Sequence, residues 1–482
     1  MTKETENYYS KIGFKSGLEI HQQLDTRKLF CHCPSLLRKD EPDYEIKRKL
    51  HAVAGESGKI DVAAAHQAKL NKEFVYQGYD STCLIELDEE PPHEINQDAL
   101  KIAIQIALLL NCKIQTLTQI MRKTVIDGSN TSGFQRTVFI ARDGYVETKE
   151  GRVGIAGMFL EEDAARKVKT EGNKVYWRLD RLGIPLVEIA TAPDIKNAEH
   201  AKETALKIGE ILRSCKVKRG IGTIRQDVNM SIKGGERIEI KGFQDIKNIE
   251  KTIEIETERQ IELVSENKSV SEVRNALPDG STEFLRPMPG AARMYPETDL
   301  PLLKISKSFI DEAKKTLPKL REEVEKDLKK QGLNEEMIRG ILKEGKLEEF
   351  KHLVKVYENP NFVARSLVVF PRDIAGREKI SFEEVSEKLE DVMSSILNSV
   401  KKENISEREV KEVMERIVSG EDFESAIKKE KMDMSEVEEK IRNIIKEKPG
   451  LSEKAYMGLI MKEFKGKVDG RDVIELIGRY VK

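Results

Sequence analysis

Cysteine is scarce in this 482-residue chain. The five present (Cys31, Cys33, Cys83, Cys112 and Cys215) are too few and too scattered for a disulfide framework, which points to a reducing, cytoplasmic setting. Long apolar runs are missing too. The longest, Ile102–Leu110, is interrupted by Gln105 and falls far short of the roughly 20 residues a membrane span needs. Met1–Lys15 is polar and lacks the apolar stretch of a signal peptide. Neither sign of charge dominates, with 83 Lys+Arg against 85 Asp+Glu, so a uniformly basic nucleic-acid coat is excluded while a local basic patch is not. There is no Gly-x-x-x-x-Gly-Lys-Ser/Thr phosphate loop and no Gly-x-Ser-x-Gly nucleophile elbow. The triplet Gly151, Gly154 and Gly157 does not match a dinucleotide fingerprint and reads as a turn with strand glycines.

What is present is charge and length. Charged residues make up 35% of the chain and hydrophobic residues 39%, enough for buried cores in roughly two to four domains. Composition changes near residue 300. Before it, short alternating or β-branched runs (Gly17–Gln22, Thr137–Ala141, Leu186–Ala190, Val228–Ile232, Arg237–Lys241) enclose two helical patterns, Asp98–Leu110 and Ala198–Ser214. This predicts an α+β domain over 1–300, with an antiparallel or mixed sheet. The polar stretch 264–282, with its Pro278-Asp279-Gly280 turn signal, reads as a linker within it. After about Leu303, Lys and Glu dominate and apolar residues recur at helical spacing, as in Val385, Leu389, Val392, Ile396. An all-α domain over 301–400 and a small helical tail domain over 401–482 follow. From Lys446 to Lys482 the tail carries nine Lys/Arg against six Asp/Glu, with Tyr456, Phe464 and Tyr480 interleaved, a composition open to RNA contact or to a solvated helical bundle.

Polar residues embedded in strand-like segments carry the chemistry. In Gly17–Gln22, alternation sends Leu18 and Ile20 to one face and Glu19 and His21 to the other, where they could ligate one ion or exchange a proton. Glu188 lies amid Ile184–Ala190, and a lone buried carboxylate demands a cation, a donor or a proton. Glu161-Glu162-Asp163 follows an apolar strand run and reads either as ligands or as an acidic cap on a helix at Ala164–Val168. Hard oxygen donors with one nitrogen suit Mg²⁺ or Mn²⁺ rather than structural zinc. Cys31-His32-Cys33 resembles half of a zinc site, but no downstream Cys-x-x-Cys completes it. Two loops could grip anions: Gly220–Asn229, with Arg225, Asp227 and Asn229, and Arg286–Asp299, stiffened by three prolines and presenting Arg286, Arg293, Glu297 and Asp299. The latter could equally be a crossover tied by Arg–Asp pairs.

These segments together carry a resemblance. Gly17–Leu24 followed by Lys28–Cys31, Leu160–Asp163, Arg181–Ile189, Ile224–Asn229, Glu239–Lys241, Arg293–Asp299 and the tail Met457–Lys462 resemble, in order, the B/E subunits of tRNA-dependent amidotransferases. The paired Gln22-Gln23, Thr82–Glu86 with Asp88–Pro92, and the proline loop Leu285–Asp299 look like the archaeal E type rather than the bacterial B type. The large insertion usual before that loop in the archaeal type is replaced here by the short Val264–Thr282.

The resemblance implies a catalytic cradle, a helical domain and a tRNA-binding tail. It implies ATP-dependent phosphorylation of the γ-carboxylate of glutamate mischarged on tRNA(Gln), then amidation by ammonia from a separate asparaginase-like D-type amidase in a hetero-oligomer. ATP and Mg²⁺ would be the cofactors. Glu19, His21, Glu162 and Glu188 match the family's metal positions, with Glu161 as the alternative to Glu162. Glu19, Glu162, Glu188 and Lys123 would be catalytic, Lys123 resembling a lysine near the ammonia exit. Arg225, Asp227, Asn229, Glu239, Lys241 and Arg293 would line the phosphate side, with Glu297 and Asp299 as further candidates. Two other readings compete: a non-catalytic tRNA-binding scaffold subunit, and a stand-alone ligase using free ammonia on a small carboxylate.

Overall fold

The structure, a computed structural model, describes residues 8–54, 58–243, 245–290, 293–428, 434–464 and 470–480, of which 434–436, 461–464 and 470–472 are described as backbone only. The chain forms two compact units, Met1–Arg321 and Glu322–Lys482.

The first unit begins with strands β1 (Lys15–Gln23), β2 (Tyr44–Arg48) and β3 (Glu73–Gly78), with helix α1 (Val62–Lys69) before β3. Helix α2 (Gln97–Leu109) leads to β4 (Lys113–Ile114), β5 (Leu117–Thr118), β6 (Ile120–Thr124), β7 (Phe134–Thr148) and β8 (Gly151–Glu162). Then come β9 (Arg166–Glu171), β10 (Lys174–Arg178), β11 (Pro185–Thr191) and helix α3 (Ala198–Ser214). Strands β12 (Ile224–Ser231) and β13 (Ile238–Phe243) precede α4 (Lys247–Ser265). The unit closes with β14 (Glu272–Ala276), β15 (Thr282–Pro287), β16 (Met294–Pro296), β17 (Leu303–Lys304) and α5 (Lys307–Lys315).

Eleven strands make one mixed sheet in the order β15-β14-β13-β12-β1-β11-β8-β7-β6-β16, with β4 also on β7. Its pairings are antiparallel except β13 with β14. A smaller sheet, β2-β3-β10-β9, stands beside it. Sequence parity decides what each face of the large sheet does. Leu18 and Ile20, Val187 and Ile189, Met158 and Leu160, Val228 and Met230, Ile238 and Ile240 all enter one apolar core with Ile104, Ile208 and Ile253 from α2, α3 and α4. Their odd- or even-numbered alternates therefore face the other way. The helices start where an amide side chain caps them: Asn96 accepts from the backbone N–H of Asp98 and Ala99, and Asn197 from that of His200.

The expected α+β domain is present, and every strand-like run named above lies in the large sheet. Three details differ from expectation. Residues 264–282 are not a linker: α4 reaches Ser265, and β14 is an inner strand. The polar composition there builds a buried network instead, with Arg274 Nη1 2.7 Å from Glu272, and Arg259 2.7 Å from Glu256 and 3.0 Å from Glu272. The first unit runs past 300 to Arg321, because α5 packs on α2, where Gln105 Nε2 donates to the Thr316 carbonyl over 2.7 Å. No helix forms at Ala164–Val168; β9 starts at Arg166.

The second unit is helical, from Arg321–Lys330 to Gly470–Tyr480. One apolar cluster runs from Val324 to Ala426, continuous across the expected seam at 400/401, and another joins Val437, Ile441, Tyr456, Ile460, Val473, Leu476 and Ile477. Tyr456 is thus a core residue, its hydroxyl donating to the Lys448 carbonyl, while the Tyr480 hydroxyl donates to Glu438. Residues 465–469 and 481–482, which hold part of the tail's basic charge, and the Phe464 side chain lie outside the described residues. No described helix is long and apolar enough to cross a membrane.

Candidate functional site

The polar face of the large sheet gathers its charged side chains around β1. Because β1 lies between β11 and β12, His21 is the register partner of both Glu188 and Arg225, and Glu19 that of Asp227. Register carries this outward: Asn229 stands opposite Glu239 on β13, and Leu186 of β11 opposite Glu161 on β8. Residues spread over more than 200 positions of sequence so meet on one surface.

Two groups form there. In the first, His21 Nε2 lies 3.4 Å from Glu188 Oε2 and 3.8 Å from Glu161 Oε1. Lys123 on β6 donates to Glu161 over 2.8 Å and to Glu188 over 3.4 Å. In the second, Glu19, Asp227 and Glu239 each offer a carboxylate oxygen within 4.8 Å of the others. Asn229 donates to Glu19 over 2.9 Å, and Lys241 to Asp227 over 2.7 Å while also pairing with Glu239. Arg225 is aimed by Asp163, which takes its guanidinium at 2.9 Å and the Gln23 amide at 2.6 Å.

Electrostatics separates the acids. Burial works to raise the Glu188 pKa, but Lys123 and His21 outweigh it and hold the carboxyl well below the ordinary range. Burial pushes Glu161 up despite Lys123, and burial with the neighbouring Glu239 and Glu188 pushes Glu19 up. His21 is raised because its contact with Glu188 outweighs burial. Five carboxylates thus face two lysines, an uneven balance among buried and half-buried side chains. Oxygen-rich groups of three around one imbalance fit a hard divalent cation. His21, Glu161 and Glu188 would hold one such ion, and Glu19, Asp227 and Glu239 are a second set that could.

Of the expected residues, Glu19, His21, Glu188, Lys123, Arg225, Asp227, Asn229, Glu239 and Lys241 share this face. Glu162 does not. It has the parity of Met158 and Leu160, so it turns to the core side, where Arg136 approaches it to 3.4 Å and Glu161 takes the place beside His21. Glu297 belongs with Glu162 rather than with the acids: Arg136 and Arg122 donate to it over 2.8 and 2.5 Å, and Asp299 accepts from Arg122 over 3.1 Å. These pairs tie the proline loop to β6 and β7. Arg293, in the same loop, donates to the Thr124 carbonyl over 3.1 Å and lies within electrostatic reach of Glu161 and Glu239. Ala291 and Ala292 of that loop lie outside the described residues.

A third group was half legible. Cys31 and Cys33 meet Cys83 and Glu86, with one potential ligand atom from each within 4.8 Å of the rest. Lys28 pairs with Glu86, and Cys31 and Cys33 hold the Cys83 thiol pKa low by hydrogen bonding. The signal was a Cys-x-x-Glu where a search for Cys-x-x-Cys finds nothing. Three thiols and a carboxylate suit a thiophilic ion such as Zn²⁺.

Comparison with known proteins adds a separate line. Residues 14–311 match the family model described as the GatB/GatE catalytic domain, and residues 348–481 one described as a GatB domain. The E-type subunit of the glutamyl-tRNA(Gln) amidotransferase of Methanocaldococcus jannaschii is 38% identical over 631 residues, covering 98% of this chain and 99% of that protein. Its counterpart of the same name in Methanosarcina barkeri is 36% identical over 620 residues, at 97% and 98% coverage. One from Methanococcus maripaludis is 41% identical over 616 residues, at 96% and 97%. These alignments exceed the 482 residues of this chain, so those proteins carry residues with no counterpart in it.

Proposed function

The chain belongs to the GatB/GatE family, and from that premise we propose that it converts Glu-tRNA(Gln) to Gln-tRNA(Gln) as the ATP-using subunit of a tRNA-dependent amidotransferase. The γ-phosphoryl group of ATP passes to the glutamyl γ-carboxylate, forming an acyl phosphate. Ammonia then attacks the carbonyl carbon, the C–O bond to phosphate breaks, phosphate leaves with the electron pair, and one proton passes from the nitrogen to the departing phosphate. Ammonia comes from a partner amidase of the asparaginase-like type, in a cytoplasmic hetero-oligomer, and the helical tail binds the tRNA.

The observation that carries this reading is the single polar sheet face on which five carboxylates, one imidazole and two lysines converge. Joining a polyphosphate to a carboxylate brings anions together, so catalysis is a matter of positioning and charge stabilisation, with no need of a nucleophilic side chain. When bound by His21, Glu161 and Glu188, and by Glu19, Asp227 and Glu239, Mg²⁺ would offset the charge on the transferred phosphoryl group. The chain's own residues do the rest. Lys241, Arg225 and Arg293 present donors to phosphate oxygens. Lys123, set between Glu161 and Glu188, neutralises the floor on which the glutamyl group lies. A scaffold subunit has little use for such a face, since Lys123 and Lys241 offset only part of the charge of five gathered carboxylates.

The test supplies ATP, Mg²⁺, Glu-tRNA(Gln) and ammonium to the chain without any amidase and follows Gln-tRNA(Gln). Slow amidation that ceases without ATP is expected. Absence of ATP turnover would overturn the reading, and use of free glutamate in place of the charged tRNA would replace it with the small-carboxylate ligase.

A further inference from the structure

The sheet face that carries the charged groups also carries two phenylalanines that the chemistry above does not use. Register lays Arg225, His21, Glu188, Phe159 and Phe139 along one rung, from β12 through β1, β11 and β8 to β7. Partners on a rung point to the same side of the sheet. Phe159 also has the parity of Glu161, so both rings stand on the polar face. Neither joins the apolar core opposite, which takes Met158, Leu160, Val138 and Ile140 from the same two strands. Both are half-buried. Paired apolar side chains set in line with a carboxylate and an imidazole mark a place that something covers.

Their posture is set by what lies beside them. The ring centroids are 5.1 Å apart with the planes inclined at 39°, neither stacked nor edge-on. Gly157, on the same side of β8 as Phe159, lies against both. A Cβ there would come within 3.1 Å of the Phe159 ring and 3.2 Å of the Phe139 ring. Glycine at this position therefore lets the two rings lean over its backbone and lie low on the sheet, with their outer faces open to a ligand.

Resting on the proposed function above, we infer that Phe159 and Phe139 form the floor on which the adenine base of ATP lies. Neither the triphosphate nor the glutamyl side chain has a π surface to lay on an aromatic ring; the purine has one. The rung supplies the rest of the nucleotide's length. From β8 to β12 it crosses three strand spacings, roughly 14 Å. With the base on Phe159, an extended triphosphate passes Glu188 and His21 and ends near Arg225. Aromatic rings, cation ligands and guanidinium thus follow one another in the order in which a nucleoside triphosphate presents base, metal-bridged phosphates and terminal anion. The other bases in the reaction belong to the tRNA, and the experiment separates the two sources.

The experiment uses the full chain with Mg²⁺ and two ligands, β,γ-imido-ATP and inorganic tripolyphosphate, which share a phosphate chain but not a base. Calorimetry compares the unsubstituted chain with the pair Phe139→Leu/Phe159→Leu, which keeps apolar bulk without the rings. A second variant, Gly157→Ala, pushes the rings off the sheet, and thermal melting checks that each variant is folded. The unsubstituted chain is expected to bind the nucleotide more tightly than tripolyphosphate. The leucine pair should weaken the nucleotide about tenfold, as removal of a base-stacking partner does, and leave tripolyphosphate unchanged. Gly157→Ala should act in the same direction, and Phe159→Trp should keep nucleotide affinity. In ammonium-dependent amidation the leucine pair should raise KM for ATP and leave KM for Glu-tRNA(Gln) unchanged. Equal affinity of the unsubstituted chain for both ligands, or variants that bind the nucleotide as it does, would overturn the inference. So would a raised KM for the tRNA with nucleotide affinity intact, which would give the rings to an RNA base. Loss of glutamine-dependent amidation alone, with the amidase present, would overturn it by making the rings a protein contact. In each of these cases the unsubstituted chain still amidates and the proposed function stands. If that chain neither binds the nucleotide nor amidates, both fail together.

Discussion

Substituting Glu188 by Gln removes one charge from the first carboxylate group while keeping its shape. Glu188 Oε2 lies 3.4 Å from both His21 Nε2 and Lys123 Nζ, and its side chain is 15% exposed. At the effective permittivity near 20 that suits such sites, two unit charges about 4 Å apart interact by about 4 kcal/mol. Partial exposure and relaxation of the neighbours reduce this to roughly 2–3 kcal/mol, between about 30- and 150-fold in an equilibrium constant. The variant is therefore expected to need about 30- to 150-fold more Mg²⁺ for half-maximal ammonium-dependent amidation. Mn²⁺ binding followed by electron paramagnetic resonance should weaken equally, without reference to turnover. The same change must appear at His21. Its raised pKa stems chiefly from Glu188, with Asp227 and Glu161 adding to it against burial, so in the variant the imidazole titrates lower, which NMR of the labelled ring would read. A Glu188→Gln chain with unchanged cation affinity and an unchanged His21 titration would refute the account of this group, whatever its activity.

Cation binding should also depend on pH. His21 is raised above its ordinary value of 6.5 and must shed its proton to ligate an ion, so affinity is full above that raised pKa and falls as pH drops through it, approaching about tenfold per unit; Mn²⁺ titrations between about pH 6 and 8 that superimpose would contradict this. Lys123→Met leaves Glu161 and Glu188 facing each other without their shared ammonium, and urea unfolding should show a loss of about 3 kcal/mol, smaller at low pH where Glu161 takes a proton; stability equal to the unsubstituted chain would count against the pairing. Chain purified without chelator should contain about one equivalent of a thiophilic ion by elemental analysis, lost in Cys83→Ser, whereas metal-free protein with three freely titrating thiols would show that Cys31, Cys33, Cys83 and Glu86 hold none. Ile20→Ala, on the fully buried side of β1, should cost about 2–4 kcal/mol and lower the melting temperature without altering the pH dependence of cation binding, because its side chain never reaches the polar face; a changed pH profile would refute the two-faced description of the strand.

How much of this was readable along the chain differs by feature. Strand period makes the choice of face almost mechanical: Leu18 and Ile20 against Glu19 and His21, Val187 and Ile189 against Glu188, Ile238 and Ile240 against Glu239 and Lys241. Helix α4 was harder to read, since Glu256, Thr252 and Gln260 occupy buried positions that a search for apolar periodicity passes over. The neighbouring polar stretch looked like a linker for the same reason: a buried Arg–Glu network and a solvated loop have similar compositions.

The amino-acid sequence by itself determined the α+β and helical halves, the two faces of each strand and the inventory of acids, because alternation and helical spacing are set within a few residues. Only the tertiary structure decided which acids act together. The placement of β1 between β11 and β12 puts His21 beside Glu188, strand parity at the end of β8 selects Glu161 and sends Glu162 to Arg136, and the fold brings Cys83 and Glu86 to two cysteines some fifty residues earlier in the sequence. Register and close approach are properties of pairs of segments, and neither is written in the local pattern of one of them.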